Sequence, residues 1–436
     1  MLLALFLVPA QARADQAWLV VSDIHLDPYA GGSAPSAYGS DTNWALWRSA
    51  LTAMQRADPD PEVVIVAGDL LAHHFSELAR AHHASAGAAA EETMRRVAAG
   101  LAAAFPRAQF AIALGNNDDP CGDYRTAANT PYLKALARIW APLVDRNGAA
   151  PGFARAFAAG GPYTAQLPVR SLRAVVLDDV YWSVLYRACG GTAGDPGAAA
   201  LAWLGRTLAE MPKGTHAVVI AHIPAGVDAA STLFTHRLLV VPFLQGTDER
   251  AYVRDLAYYG KRIAFGIAGH VHRSDFRTLG APTVIAPSIS PIYDNDPAFL
   301  RLRVALDGTL HDYTLYAYDP QRAAWGSEFD FDAAYGARSV DAAAMHAAHA
   351  RIANDPVARA RWSSALVAGS PHAEVTAATW RTPWCAQTHA GDAFVRCAGL
   401  RRRLFVLPIV AGLLGIVVAA SLVLIIVRLG GRRRAR

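Results

Sequence analysis

The chain has 436 residues, 53% of them hydrophobic and only 18% charged, against the roughly 25% charged residues usual in globular proteins. That excludes a mainly disordered chain and allows a large core. The formal charge is +5, but residues 401–436 hold eight arginines and no acidic residue. Taking those eight away leaves residues 1–400 at −3, so the body offers no basic footprint and no nucleic-acid partner is expected.

In chain order, the apolar run 2–8 followed by Ala12-Arg13-Ala14 reads as a secretory leader over residues 1–14, cut before Asp15. Its opening lacks Lys or Arg, a departure from the usual leader. From residue 15 onward short β-type runs end abruptly in polar residues. The run 18–21 leads into Asp23 and His25, 63–67 into Gly68-Asp69, and 110–114 into Gly115-Asn116-Asn117-Asp118. The run 217–221 leads into His222, and 263–268 into Gly269-His270-Val271-His272. Residues 174–177 and 283–286 read as further strands, and 43–55 and 76–105 as helical stretches. Apolar strands alternating with helices predict a layered α/β sheet, with the polar strand ends gathered at one rim. This catalytic body is expected over 15–320, followed by a helical extension over 321–400.

Residues 404–427 contain no charge and, at about 1.5 Å per residue, are long enough for a tilted transmembrane helix. With a cleaved leader, the body would lie outside the cytoplasmic membrane (periplasmic if bacterial) and the basic tail 428–436 inside. Arg401, Arg402 and Arg403 would then meet anionic head groups on the outer side. The four cysteines are Cys121, Cys189, Cys385 and Cys397, an even count that in an exported chain points to disulfides. Cys385 and Cys397 are near neighbours, which leaves Cys121 and Cys189 for each other. No pair has the CxxC spacing of a metal site.

A single His or Asp at a strand end is ordinarily a capping residue. Five such blocks in one chain are a donor set. Asp23, His25, Asp69, Asn116, His222, His270 and His272 combine carboxylate, amide and imidazole donors, as two neighbouring divalent cations require. With these motifs the chain resembles the calcineurin-like metallophosphoesterases over roughly residues 18–304. Within them it is similar to the acid sphingomyelinase-like phosphodiesterases, on Gly68-Asp69-Leu70-Leu71-Ala72-His73, Tyr38-Gly39-Ser40-Asp41, Ala286-Pro287-Ser288-Ile289-Ser290-Pro291 and a helical C-terminal piece ending in a Cys pair. The resemblance implies a four-layer α-β-β-α sandwich. It implies one ion on Asp23, His25 and His272, another on Asn116, His222 and His270, and Asp69 bridging. The expected ions are zinc, with manganese or iron as alternatives.

One block departs from the family pattern. Where these enzymes carry Gly-Asn-His-Asp/Glu, this chain has Asn117, and an amide cannot supply a proton to the leaving oxygen. The resemblance leaves His73, after the Gly-Asp motif, as candidate acid, with His74 as substitute. A GNND block is also similar to endopolyphosphatase-like members. The expected function is therefore a phosphodiesterase of the sphingomyelinase-like type acting on a phosphorylated small molecule or lipid. The alternative is a polyphosphate or nucleotide phosphoanhydride hydrolase, and a third reading is a degenerate phosphoryl-binding module. Ser231, His236 and Asp228 lack a nucleophile elbow, and no Walker A or dinucleotide fingerprint occurs.

Overall fold

The computed structural model describes residues 15–190, 194–235, 239–372 and 375–400. The expected leader and the uncharged segment 404–427 lie outside these residues. Among the described residues no helix is long and apolar enough to cross a membrane.

Two mixed six-stranded sheets form the centre. The first runs in the order Ala324–Asp330, Leu310–Asp319, Ala298–Val304, Gln16–Val21, Val63–Ala67, Gln109–Ala113. Its last three strands are parallel and the others antiparallel. The second runs Asp275–Arg277, Thr283–Ile285, Ile263–Ala268, His216–Ile220, Leu172–Val176, Tyr163–Gln166, with its middle strands parallel. All five residues of Val63–Ala67 and all five of Gln109–Ala113 are buried, which is why these strands read as unbroken apolar runs.

The second sheet shows the period of two by which a strand addresses two layers. Val218, Ile220, Phe265 and Ile267 join the core shared with the first sheet, whereas Ala217, Val219 and Ile263 join a second core. Trp18 and Phe265, with ring centroids 6.0 Å apart, tie the two sheets together. Helices Trp44–Ala57, Ala86–Ala104 and Pro131–Val144 pack into the first core and Pro196–Ala209 and Gly246–Tyr258 into the second. The layers are thus helix, sheet, sheet, helix.

Two sequence expectations need adjustment. The stretch 76–105 is not one helix: Phe75–Ala81 and Ala86–Ala104 are separated at His83, whose backbone is left-handed. The first sheet also does not end near Pro320. Ala324–Asp330 pairs antiparallel with Leu310–Asp319 as an edge strand, and its mostly exposed residues carry too little apolar alternation to be recognised. Beyond it the chain is helical, through Phe331–Tyr335, Ala342–Asn354, Pro356–Leu366, Arg381–Ala386 and Gly391–Cys397. Asp275 at the edge of the second sheet fastens this extension, accepting from Trp362 Nε1 at 3.2 Å and from Gln387 Nε2 at 2.7 Å. Cys121 pairs with Cys189 and Cys385 with Cys397, as the spacing predicted.

Candidate metal centre

Every residue of the predicted donor set follows a central strand. Gln16–Val21 delivers Asp23 and His25, Val63–Ala67 delivers Asp69, and Gln109–Ala113 delivers Asn116. These three strands are parallel neighbours. In the second sheet the parallel neighbours His216–Ile220 and Ile263–Ala268 deliver His222, His270 and His272. Parallel strands end at the same rim, so residues far apart in sequence meet there.

The turns off these strands are tight. Asp23, His25, Asp69, His270 and His272 all hold left-handed backbone, with φ between 44° and 72°, a conformation that costs a non-glycine residue about 1 kcal/mol or more. A Cβ on Gly115 would fall onto the Asp69 carboxylate, and one on Gly269 onto Ser22 and Asp23. The strain is held by Asp118, whose buried carboxylate accepts the backbone N–H groups of Gly115 (2.8 Å), Asp69 (3.0 Å), Leu70 (2.7 Å) and Leu71 (3.1 Å). Asp179 does the same for the turn at His222, accepting from the N–H groups of His222 and Ile223 at 3.2 and 2.8 Å.

Within this frame the donor atoms converge. His25 Nε2 lies 3.0 Å from His272 Nε2 and 3.7 Å from Asp23 Oδ1, and His272 Nε2 lies 3.4 Å from the same Asp23 oxygen. Asn116 Oδ1 is 3.2 Å from His222 Nε2. Asp69 Oδ2 stands between the two groups, 3.5 Å from His25 Nε2 and 3.2 Å from His222 Nε2. Ligand atoms of Asp69, His222 and His270 all lie within 4.8 Å of one another, as do those of Asp23, His25 and Asp69.

The hydrogen bonds behind the donors fix which ring nitrogen is free. His25 Nδ1 faces the carbonyl of Leu71 at 3.2 Å and His222 Nδ1 that of Ala67 at 2.7 Å. A carbonyl only accepts, so each Nδ1 carries a hydrogen and each Nε2 is the ring nitrogen turned to the centre, a ligand atom once it gives up its proton. This donor set fits two cations, and a shared carboxylate is what holds such a pair together.

The electrostatics agree. Burial would raise the Asp69 carboxyl, but the His222 and His25 imidazoles hold it well below the usual carboxylate range. Burial opposes charge on His25 and His222, yet the hydrogen bond to Asp23 and the carboxylate of Asp69 lift His25 to about 9, and Asp69 lifts His222 to about 10. Burial and the neighbouring His222 push His270 down to about 4, and burial and His25 push His272 well below its ordinary value. The carboxylates therefore demand positive charge at this rim, and two of the four imidazoles remain neutral donors.

The Calcineurin-like phosphoesterase family profile matches residues 18–274, which is more than half of the chain and contains the whole donor set. The chain belongs to the calcineurin-like phosphoesterases. Among curated relatives it is 27% identical over 322 residues to Sphingomyelinase phosphodiesterase D of Dictyostelium discoideum, covering 68% of this chain and 66% of that protein. It is 26% identical over 405 residues to Acid sphingomyelinase-like phosphodiesterase 3b of Mus musculus, covering 81% of this chain and 83% of that one. Among solved structures it is similar to a putative 5'-nucleotidase from Staphylococcus aureus, at 16% identity and a TM-score of 0.38 over 72% of this chain and 53% of that chain. A likeness of that degree carries no argument.

Around the metal centre of this phosphoesterase lie residues the sequence singled out and others it did not. His73 stacks on His25, with ring centroids 3.9 Å apart and planes 13° from parallel. Its Nδ1 is 3.0 Å from Asp41 Oδ1, and its backbone N–H donates to Asp41 Oδ2 at 2.9 Å. His74 is different: it is exposed, in left-handed backbone, and paired with Asp123 at 3.2 Å. Among the described residues it joins no group of converging donor atoms. Asn117 is buried, its backbone N–H donating to Asp69 Oδ1 at 2.8 Å and its side-chain oxygen accepting from Asn116 Nδ2 at 2.5 Å. That second bond turns the Asn116 oxygen towards His222.

Sequence reading missed Asp41's contact with His73, the bracing by Asp118 and Asp179, and an aromatic wall. Phe243 and Tyr124 stand 5.2 and 6.1 Å from the His270 ring, and Tyr293 stands 4.7 Å from the His272 ring, all edge to face. These residues come from separate loops, and nothing in their spacing marks them. Asp228 and Ser231, set aside as triad members, form a helix cap: the Asp228 carboxylate accepts from Ser231 N at 2.8 Å.

Proposed function

We propose that this phosphoesterase is a two-metal phosphodiesterase that acts outside the cytoplasmic membrane. The observation that carries this reading is the position of Asp69, whose one carboxylate oxygen faces both His25 and His222 at 3.5 and 3.2 Å. Asp23, His25 and His272 would hold one ion, Asn116, His222 and His270 the other, and Asp69 both. Bound there, the ions supply an acidified water for attack on phosphorus and neutralise charge gathering on the phosphoryl oxygens.

The remaining steps belong to the chain's own residues. Asp41 accepts the Nδ1–H of His73 and so orients the ring, leaving Nε2 to protonate the departing oxygen. Asn117 stands where the Gly-Asn-His-Asp/Glu pattern of the resemblance has a histidine; its amide can donate a hydrogen bond but no proton. The rings of Phe243 and Tyr124 beside His270 and of Tyr293 beside His272 would flank a substrate bound at the donors. All seven donors are present, which supports turnover over a binding-only module.

Zinc suits a site with four imidazoles, and manganese or iron would use the same donors. Two disulfides and no free cysteine among the described residues support an oxidising compartment. The uncharged segment 404–427 supports a single membrane anchor, with 428–436 as its cytoplasmic tail. Asn117 favours one further reading, hydrolysis of polyphosphate or a nucleotide phosphoanhydride, whose leaving group needs less protonation. The deciding experiment tests the zinc-loaded full chain in detergent on a chromogenic phosphodiester, a phosphomonoester, sphingomyelin, ATP and long-chain polyphosphate. Cleavage confined to ATP and polyphosphate would replace the diesterase reading by the anhydride one.

A further inference from the structure

The two disulfides stand in different surroundings. Cys385, of the Cys385–Cys397 pair, is fully buried in the helical extension, whereas Cys121 and Cys189 are both partly exposed. Beside that accessible pair lies a buried acid. A carboxylate oxygen of Asp119 and the sulfurs of Cys121 and Cys189 all lie within 4.8 Å of one another, and no other group of converging donor atoms among the described residues includes a cysteine. Asp119 Oδ1 accepts the backbone N–H of Cys121 at 2.8 Å. Its Oδ2 is buried and has no hydrogen-bond partner among the described residues, an unmet acceptor of the kind folded proteins rarely keep without a use. A sulfur in a disulfide has no hydrogen to give it. A free thiol has one.

The second observation is what this disulfide fastens. Cys121 follows Asn116 by five residues, in a loop that returns to the candidate metal centre at Tyr124. The Tyr124 backbone N–H donates to the carbonyl of Asn116 at 2.7 Å, and its ring stands 6.1 Å from that of His270. Tyr124 holds left-handed backbone, with φ 58°, a conformation that a tyrosine keeps only where its surroundings impose it. Towards residues 187–189 the loop is held by Arg187 N–H on the Tyr124 carbonyl at 2.9 Å and by Cys189 N–H on that of Thr126 at 3.2 Å, within a bridge of only two residue pairs. So short a pairing is weak by itself, and the Cys121–Cys189 bond is its covalent clasp. Asn116 contributes an uncharged amide oxygen among carboxylates and imidazoles, so its ion depends most on how well that oxygen is placed.

We propose that Cys121–Cys189 is a reversible modification site for a thiol reductant, with Asp119 set to receive the freed thiol, and that opening it loosens the ion assigned to Asn116, His222 and His270. This rests on the two-metal reading above and adds a control on one of its two ions. In the reaction a thiolate of the reductant attacks one sulfur of the pair, forming a mixed disulfide and expelling the other cysteine as a thiolate, which takes a proton. A second reductant thiolate then attacks the reductant sulfur of the mixed disulfide and expels the remaining cysteine. The protein gains two electrons and two protons, and the two reductant thiols leave joined as a disulfide. One of the new S–H groups donates to Asp119 Oδ2, a bond absent from the closed form, so Asp119 favours opening. Without its clasp, Tyr124 no longer fixes the Asn116 carbonyl.

The zinc-loaded full chain in detergent is treated without denaturant with a phosphine, which opens disulfides by becoming its oxide and competes little for zinc. Free thiols are alkylated and mapped by peptide mass, and zinc is counted by native mass spectrometry. Cys121 and Cys189 should be alkylated while Cys385 and Cys397 stay joined, and the zinc count should fall from two ions to one and return to two on reoxidation with zinc present. Opening of Cys385–Cys397 first, or two ions retained in the opened chain, would overturn the proposal. An oxidised chain that never holds two ions would sink the two-metal reading and this proposal with it, a failure visible before any reductant is added. Cys121→Ser with Cys189→Ser is the permanently open form. It should bind its second zinc about 10- to 100-fold more weakly, the usual effect of losing support behind a ligand; wild-type affinity for both ions would count against the clasp, and the phosphine experiment decides the matter if this pair fails to fold. Asp119→Asn keeps an oxygen for the Cys121 N–H and replaces the free acceptor by a donor. In glutathione buffers with zinc present, read by alkylation, it should make opening about tenfold less favourable, the size of one hydrogen bond to a charged group. An unshifted midpoint would overturn the role given to Asp119.

Discussion

His73 lies flat on His25 at 3.9 Å between ring centroids while Asp41 holds its Nδ1 at 3.0 Å. A ring fixed on both sides has one nitrogen left to act with, and that nitrogen belongs to a residue at the edge of the donor cluster. His73→Ala should slow alkyl phosphodiesters far more than nitrophenyl esters, by about 10² if general acid catalysis has its usual size. Zinc content should not change. Asn117→His in that background should restore part of the alkyl-ester rate. Equal losses on both leaving-group classes, measured as kcat/KM, would assign His73 to substrate positioning.

Asp69→Asn tests the shared carboxylate. An amide has one oxygen donor and no charge to offer two cations, so bound zinc measured by mass spectrometry of the native protein should fall from two ions to one or none, and diesterase activity should disappear. Two retained ions with full activity would remove the dinuclear reading.

Asp118 is expected to matter for stability as much as for turnover. Asp118→Ala leaves the N–H groups of Gly115, Asp69, Leu70 and Leu71 without their buried acceptor, at about 1–3 kcal/mol for each group left unsatisfied. A loss of several kcal/mol in denaturant unfolding is expected, with weakened zinc binding, because these bonds hold the strained turn at Asp69. Asp118→Asn, which keeps one oxygen, should fall between. Wild-type stability in Asp118→Ala would show that the turn stands without it.

The pH dependence of the zinc-free chain follows from His25 near 9 and His222 near 10, both above the ordinary imidazole value of about 6.5. Raised folded-state values mean that the native state binds protons more tightly than the unfolded one. The stability they contribute is full below about 6.5 and is lost as pH rises through 9 to 10. Chelator-treated protein should therefore melt at falling temperature across that window. Zinc uptake at pH 8 should release protons, read by calorimetry in buffers of different ionisation enthalpy. No proton release at pH 8 would contradict protonated His25 and His222.

The candidate donors were legible in the amino-acid sequence because each follows a strand buried on both faces, and an unbroken apolar run that stops at Asp, Asn or His is visible without coordinates. Local patterning also marked the strands around 174–177 and 283–286, and the cysteine pairs followed from the nearness of Cys385 to Cys397 and from what that left over. Other features had no local trace. Ala324–Asp330 is an exposed edge strand, so its place comes from pairing with Leu310–Asp319 and from no pattern of its own. Asp41 and His73 are joined across the gap between two loops, and Asp118 serves four backbone groups on two different turns. Leu400 packs against the small core that holds Val227, Ala229 and Phe394, and Gln387 of the same extension is bonded to Asp275 at the edge of the second sheet. Chemistry written in residue type and strand order is carried by the sequence alone. The partner of a buried carboxylate, the wall of the site and the side on which the chain leaves the fold depend on contacts between distant segments, which only the packing of the two sheets brings about.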